Sequence, residues 1–130
     1  MEELHISPTE KTPDIILNPK GVLKIKGRAI DESRTAYPEL IMDWLGLYLS
    51  HPADSTEVVI ALEYLNSFNT LILSNILKKI AEVKLQSKRL FIKWYIEEDD
   101  EDLMDRAEYI SSTFNLPVEI IPTAKIKSLY

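Results

Sequence analysis

Asn66, Ser67, Asn69 and Thr70 are the side chains of this chain best placed to do chemistry, four small polar groups gathered around Phe68. They sit where the apolar run Val58–Leu65 gives way to a segment of helical spacing, so a strand feeds almost directly into a helix. Two chemistries suit such a junction. Side-chain oxygens of Asn, Ser and Thr cap the backbone N–H groups that a helix's first turn leaves without partners. The same N–H groups and the helix dipole favour an anion, so a hydroxyl placed there also suits a phosphate acceptor. On local grounds, Ser67 as a simple cap and Ser67 as a phosphoacceptor both stand, with Thr70 a second hydroxyl one turn further in.

Other reactive groups have blander readings. Six carboxylates run from Glu97 to Asp102 and offer oxygen ligands to a divalent cation. The same residues are accounted for if Asp99 or Asp100 caps the next helix and the acids after it suit the dipole. The glycine-bearing loop of a calcium site is absent, and no metal ligand is assigned. His5 lies near the N-terminus and His51 closes a helix beside Pro52; neither falls in a triad or zinc-site arrangement. Gly21, Gly27 and Gly46 form no phosphate-binding loop. Trp44, Tyr48 and Trp94 read as core packing at helical and strand spacing. No catalytic residue and no cofactor is expected.

The elements that must position Ser67 follow from periodicity. Asp14–Leu17 reads as a strand, Asn18-Pro19-Lys20-Gly21 as a turn, and Val22–Ile30 as a half-buried strand in which Leu23 and Ile25 alternate with Lys24 and Lys26. The pair is a hairpin. Pro38 opens a helix carrying Tyr37, Leu40, Ile41, Trp44, Leu45 and Tyr48 on one stripe and ending near His51-Pro52. Val58–Leu65, nearly continuous in apolar residues, reads as an interior strand covered on both faces. A second helix places Leu73, Ile76, Leu77 and Ile80 inward. Leu90–Ile96 is a strand, a third helix carries Leu103, Ala107, Ile110 and Phe114, and Val118–Ile121 is the last strand. The order is β-β-α-β-α-β-α-β, with a short extra strand at Leu4–Ile6. Alternating strands and helices imply crossover connections and a mixed, mostly parallel sheet with an N-terminal β-hairpin and about three helices, an α/β fold.

At 130 residues the chain fits one domain, residues 1–130. The net charge of −6 argues against nucleic acid, which is bound mainly through Lys and Arg. With no cysteine, disulfides and thiolate metal sites are excluded. No apolar run approaches ~18 residues, so no membrane partner is expected, and MEELHISPTEK lacks the n- and h-regions of a secretory signal. A cytoplasmic chain is the expectation.

Several pieces, taken together, resemble the SiaC family of bacterial regulatory phosphoproteins, whose fold is similar to STAS (anti-sigma-factor-antagonist) domains. They are Thr12-Pro13, Gly27-Arg28, Met42-Asp43-Trp44-Leu45, Tyr64-Leu65-Asn66-Ser67, and Lys93-Trp94-Tyr95-Ile96 followed by the acids Glu97 to Asp102. They span nearly the whole chain in the family's order. In that family, a Thr directly after the Asn at the start of the second helix is phosphorylated, and here that position is Ser67. The chain departs from the family at Phe68 and Asn69, where small hydroxyl residues are common, and at Ile30-Asp31-Glu32, where Tyr-Pro-Glu is common.

The resemblance implies a non-catalytic signalling protein that works as a partner switch. A Ser/Thr protein kinase of the histidine-kinase-like ATPase type phosphorylates Ser67, a PP2C-type phosphatase reverses this, and the unmodified form binds a target. In the best-known branch the target is a diguanylate cyclase. The partner-binding set implied here is Asn66, Ser67, Phe68, Asn69 and Thr70. Phe68, if exposed, adds apolar contact area; if buried, it anchors the turn, and the already filled helix stripe favours exposure. Two other readings stand beside this one: a constitutive interaction domain without phosphorylation, and a small hydrolase using the acidic run.

Overall fold

The computed structural model describes residues 1–33 and 36–130. Its strands are β1 (Leu4–Ile6), β2 (Asp14–Asn18), β3 (Val22–Ala29), β4 (Ser55–Leu65), β5 (Arg89–Glu97) and β6 (Val118–Thr123). Its helices are α1 (Tyr37–Tyr48), α2 (Ser67–Ile80) and α3 (Glu101–Thr113), with 3-10 turns at Ala81–Gln86 and Ile126–Leu129. The six strands form one sheet in chain order, with β1–β2–β3 antiparallel and β3–β4–β5–β6 parallel. The expected α/β fold with its N-terminal hairpin is present, and the short strand at Leu4–Ile6 pairs with β2.

Because the parallel strands follow one another in chain order, each right-handed crossover steps the same way and lays its helix on the same face. Burial agrees with that layout. Leu23, Ile25, Val58, Ile60, Leu62, Ile92, Trp94 and Ile96 join Ile41, Leu45, Leu73, Leu77, Leu103 and Ile110 in one core. Trp44 and Tyr48 stack at 5.1 Å between ring centroids inside it.

The other face of the sheet is more polar, and this corrects the expectation for β4. The strand is interior, but it starts at Ser55 and its second face is only partly covered. Glu57 and Val59 are half-buried there, whereas Ala61 is fully buried. Cover comes from the C-terminal turn, too short to assign from sequence. Ile126 is buried, its N–H donates to Glu97 Oε1 at 3.0 Å, and Lys26 Nζ donates to the Leu129 carbonyl at 3.1 Å.

Two local features set the geometry at the two ends of β4. Gly21, at φ 104°, is required in the hairpin turn: a Cβ there would meet the Ser55 carbonyl oxygen at 2.3 Å. Further along, a β-bulge between Gly27 and Arg28 leaves Glu63 as the extra residue on β4. Past the bulge, Arg28 pairs with Glu63 at 3.2 Å and lies over the Tyr64 ring at 5.3 Å.

Candidate functional site: the β4–α2 junction

Asn66 breaks the strand with φ −87° and ψ 174°, its own N–H still donating to the Ala29 carbonyl at 3.2 Å. Its Oδ1 accepts from the Asn69 N–H at 2.9 Å, the Asx geometry of an N-cap, and its Nδ2 donates to the Ile30 carbonyl at 2.9 Å. Asn66 is therefore the cap. The cap reading of Ser67 is corrected by one position, because the residue whose backbone leaves the helix is the one whose side chain can reach back to the third N–H.

Ser67 is the first residue of α2 and is exposed. Among the described residues its hydroxyl makes no hydrogen bond. Phe68 beside it is 47% exposed, so its ring stands at the surface. Leu71 and Tyr64 are exposed as well. The first turn of α2 carries no acidic residue, so the positive end of its dipole meets no carboxylate from its own turn.

Asn69 does not belong to this surface. It is 2% exposed and turned inward, where its Oδ1 accepts from the Tyr37 hydroxyl at 2.6 Å and its Nδ2 donates to the Asp31 carbonyl at 2.9 Å. It was expected in the partner-binding set, but a side chain so enclosed braces the junction instead of meeting a partner. Asn66, half-buried, is likewise occupied by its three internal side-chain bonds. Thr70 donates its hydroxyl proton to the Asn66 carbonyl at 2.7 Å, the back-bonding habit of a helical threonine. Of the two hydroxyls at the junction, Ser67 is the one with no hydrogen bond among the described residues.

The bracing residues carry little sequence signal. Tyr37 reads from periodicity as an ordinary member of the α1 stripe, yet its hydroxyl reaches Asn69, thirty-two positions away. Burial, and then the charge of Asp31, push the Tyr37 phenol up to about 12. Asp31 is held below the usual carboxylate range by the Ser33 hydroxyl and then by the Ser33 N–H. On the α3 side, the Arg106 guanidinium donates to the Leu65 carbonyl, two residues before Ser67. The Ile30-Asp31 segment supplies the two carbonyls that Asn66 and Asn69 bind.

The acidic run is dispersed. Glu97 accepts from the Ile126 N–H, Asp100 caps α3 by accepting from the Leu103 N–H at 3.1 Å, and Glu101 and Asp102 fall in the first turn. Among the described residues no group of three or more His, Cys, Asp or Glu side chains converges. His5 of β1 meets Asp14 of β2 at 2.8 Å.

The class defined by this fold is a small α/β protein, three helices on one face of a mixed sheet, with an exposed hydroxyl at the carboxyl end of a parallel strand. The sequence model described as "SiaC family regulatory phosphoprotein" matches residues 6–123, and the chain belongs to that family. An uncharacterized protein of Pseudomonas aeruginosa strain UCBPP-PA14 is 24% identical over 121 residues, covering 92% of this chain and 96% of its own length. The fold is similar to the crystal structure of apo-SiaC from Pseudomonas aeruginosa, with TM-score 0.80, 24% identity, and coverage of 93% of this chain and 99% of that one. It is similar also to a chain in the crystal structure of the diguanylate cyclase SiaD in complex with its activator SiaC from the same organism. There the TM-score is 0.82, the identity 23%, and the coverage 92% and 99%.

Proposed function

We propose that this chain is a non-catalytic, phospho-regulated partner switch, with Ser67 as the residue modified. The observation that carries this is the pairing of an exposed Ser67 hydroxyl with a helix start that is already capped by Asn66 and carries no acid of its own. A phosphate there adds roughly −1.5 to −2 charges at the end of α2 that favours them. The host fold accepts the group while the surface around it changes character. Phe68 and Leu71, both exposed, offer apolar area to a partner. A phosphate beside Phe68 must keep its water, so a partner that buries this ring against a neutral Ser67 is lost when the serine is modified.

The SiaC of the Pseudomonas complex is an activator of a diguanylate cyclase; by family membership, a diguanylate cyclase is the target class we assign to the unmodified form. The writer and eraser we assign are a Ser/Thr kinase of the histidine-kinase-like ATPase type and a PP2C-type phosphatase. The test is direct. The protein is incubated with such a kinase from its own genome and ATP, and the modified peptide is mapped by mass spectrometry. Phosphate on Ser67, lost in Ser67→Ala and removed by the phosphatase, is the expected result. Phosphate on Thr70 with Ser67 unmodified overturns the site, and no phosphate at all leaves the constitutive binding domain.

A further inference from the structure

Charge is divided unevenly between the two ends of the sheet. β5 starts at Arg89 and ends at Glu97, where the acidic run begins. Five of the chain's fifteen Lys and Arg residues fall between Lys78 and Arg89, against a single acid, Glu82, in a chain of net charge −6. Lys78 and Lys79 are accounted for, because they lie in the last turn of α2, where cations suit the dipole. Lys84, Lys88 and Arg89 lie beyond that helix, and the dipole does not explain them.

Backbone hydrogen bonds gather three strand starts at this end. The Glu57 N–H donates to the Gly21 carbonyl at 2.7 Å, and the Arg89 N–H donates to the Asp54 carbonyl at 3.0 Å. The Lys20-Gly21 turn, the Asp54-Ser55 segment and Lys88-Arg89 therefore lie side by side. The acids nearby are already paired: Asp54 with Lys88 at 3.0 Å, Glu57 with Lys93 at 3.5 Å and Glu82 with Lys79 at 3.4 Å. Lys20, Lys84 and Arg89 are exposed, and among the described residues their side chains make no ion pair or hydrogen bond.

Leu85, next to Lys84, is 84% exposed, more than any other large apolar side chain among the described residues. Its turn is not loose. Val83 is fully buried, the Gln86 Nε2 donates to the Leu49 carbonyl at 2.6 Å, and the Lys88 N–H donates to the Val83 carbonyl at 3.2 Å. The fold pins the turn on both sides of Leu85 and still holds the leucine out. An exposed leucine alone is ordinary, but one held out beside unpaired cations is an amphipathic contact. A docked peptide would use a groove or a free strand edge. A side chain projecting from the tip of a turn fits a surface that yields to it, as a lipid headgroup layer does.

We propose that this end of the molecule rests on an anionic phospholipid surface, with Leu85 entering the headgroup layer and Lys20, Lys84 and Arg89 meeting lipid phosphates. The acids from Glu97 to Asp102 do not oppose this, because β5 sets them roughly 25 Å away, beyond the ~10 Å Debye length at 0.1 M salt. Ser67, past the carboxyl end of β4, then faces away from the lipid. No helix among the described residues is long and apolar enough to cross a membrane. A surface contact needs no such helix, so the expectation of no membrane partner narrows to one of no membrane span. The proposal goes beyond the partner switch and stands without it.

The test is flotation of the full chain with vesicles of phosphatidylcholine alone, or mixed with about one-third phosphatidylglycerol. Binding is expected to the mixed vesicles only, and it should weaken as salt is raised. Lys84→Gln with Arg89→Gln should weaken it about tenfold or more, and Leu85→Ser about threefold or more. Lys11→Gln with Lys125→Gln makes the same charge change at the other end of the sheet and should leave binding unaltered. All these side chains are exposed, so thermal midpoints should stay close to that of the wild type. Because the chain has no cysteine, a polarity-sensitive dye can be placed singly. On Leu85→Cys it should shift to the blue on mixed vesicles, and on Ser67→Cys it should not. No flotation, equal losses in the two double variants, or a blue shift at Ser67→Cys overturns the proposal. So does polyglutamate that binds the chain as tightly as mixed vesicles do, and equally well in Leu85→Ser, which would give the patch to an acidic protein.

Discussion

The starts of α2 and α3 are built on one plan and end with opposite character. Each helix follows a parallel strand, each is capped by a side chain that accepts the N–H three residues on, Asn66 for α2 and Asp100 for α3, and each cap lies past the carboxyl end of neighbouring strands, β4 and β5. At α3 the cap is charged and Glu101 and Asp102 follow it, so the dipole is met by carboxylates that are part of the chain. At α2 the cap is neutral, no acid follows, and the first helical residue is an exposed serine. The first arrangement is permanent. The second leaves the first turn without a charge of its own, which suits the reversible phosphorylation proposed for it.

The bracing differs as well. The α3 start holds itself through the Asp100 cap, whereas the α2 start is held by Tyr37, Asn66, Asn69 and the carbonyls of Ile30 and Asp31. The largest test of this difference is Asn69→Ala, which strands the Tyr37 hydroxyl and the Asp31 carbonyl. It should cost about 2–3 kcal/mol in urea unfolding, because buried polar groups are left without partners. A loss under ~0.5 kcal/mol, the scale of a surface change, would show that the network does not hold the junction.

The same network should be felt in alkali. The Tyr37 phenol, at about 12 in the folded chain against about 10 unfolded, favours its neutral form in the native state. That contribution is fully present below pH ~10 and is lost as pH rises through about 12. Wild-type stability should therefore fall over this range more steeply than that of Tyr37→Phe, measured by denaturant midpoints at each pH. Tyr130, also raised chiefly by burial, leaves a residual slope of the same sign in both proteins. Parallel curves for the two proteins would remove Tyr37 from the account.

Smaller effects separate the two helix starts directly. Asp100→Ala removes a true cap and should cost about 1 kcal/mol, while Ser67→Ala, which removes no cap, should stay within ~0.5 kcal/mol. Comparable losses in the two variants would mean that Ser67 has a structural role. Ser67→Asp is expected to stabilise α2 by about 0.3–1 kcal/mol at low salt, the gain shrinking as salt is added. A destabilised Ser67→Asp would show that the α2 start does not welcome charge, and would count against phosphate there.

What the sequence determined by itself is the set of elements and the position of the junction. Alternation in Leu23–Lys26, the stripe from Ile41 to Tyr48 and the apolar run into Leu65 each depend on local periodicity, and each element appeared in place. The motif Tyr64-Leu65-Asn66-Ser67 located the hydroxyl at a helix start, though the cap fell on Asn66, because the cap is decided by which residue leaves helical backbone angles. Tertiary structure alone decided the rest. Whether Asn69 faces out or in depends on a tyrosine from another helix and a carbonyl from a preceding loop, and no spacing within the junction encodes either. Placing all three helices on one face left the second face of β4 to a C-terminal turn with no periodicity of its own. The partners that hold Ser67 at the surface are distant in sequence, so their hydrogen bonds exist only once the sheet has brought them together.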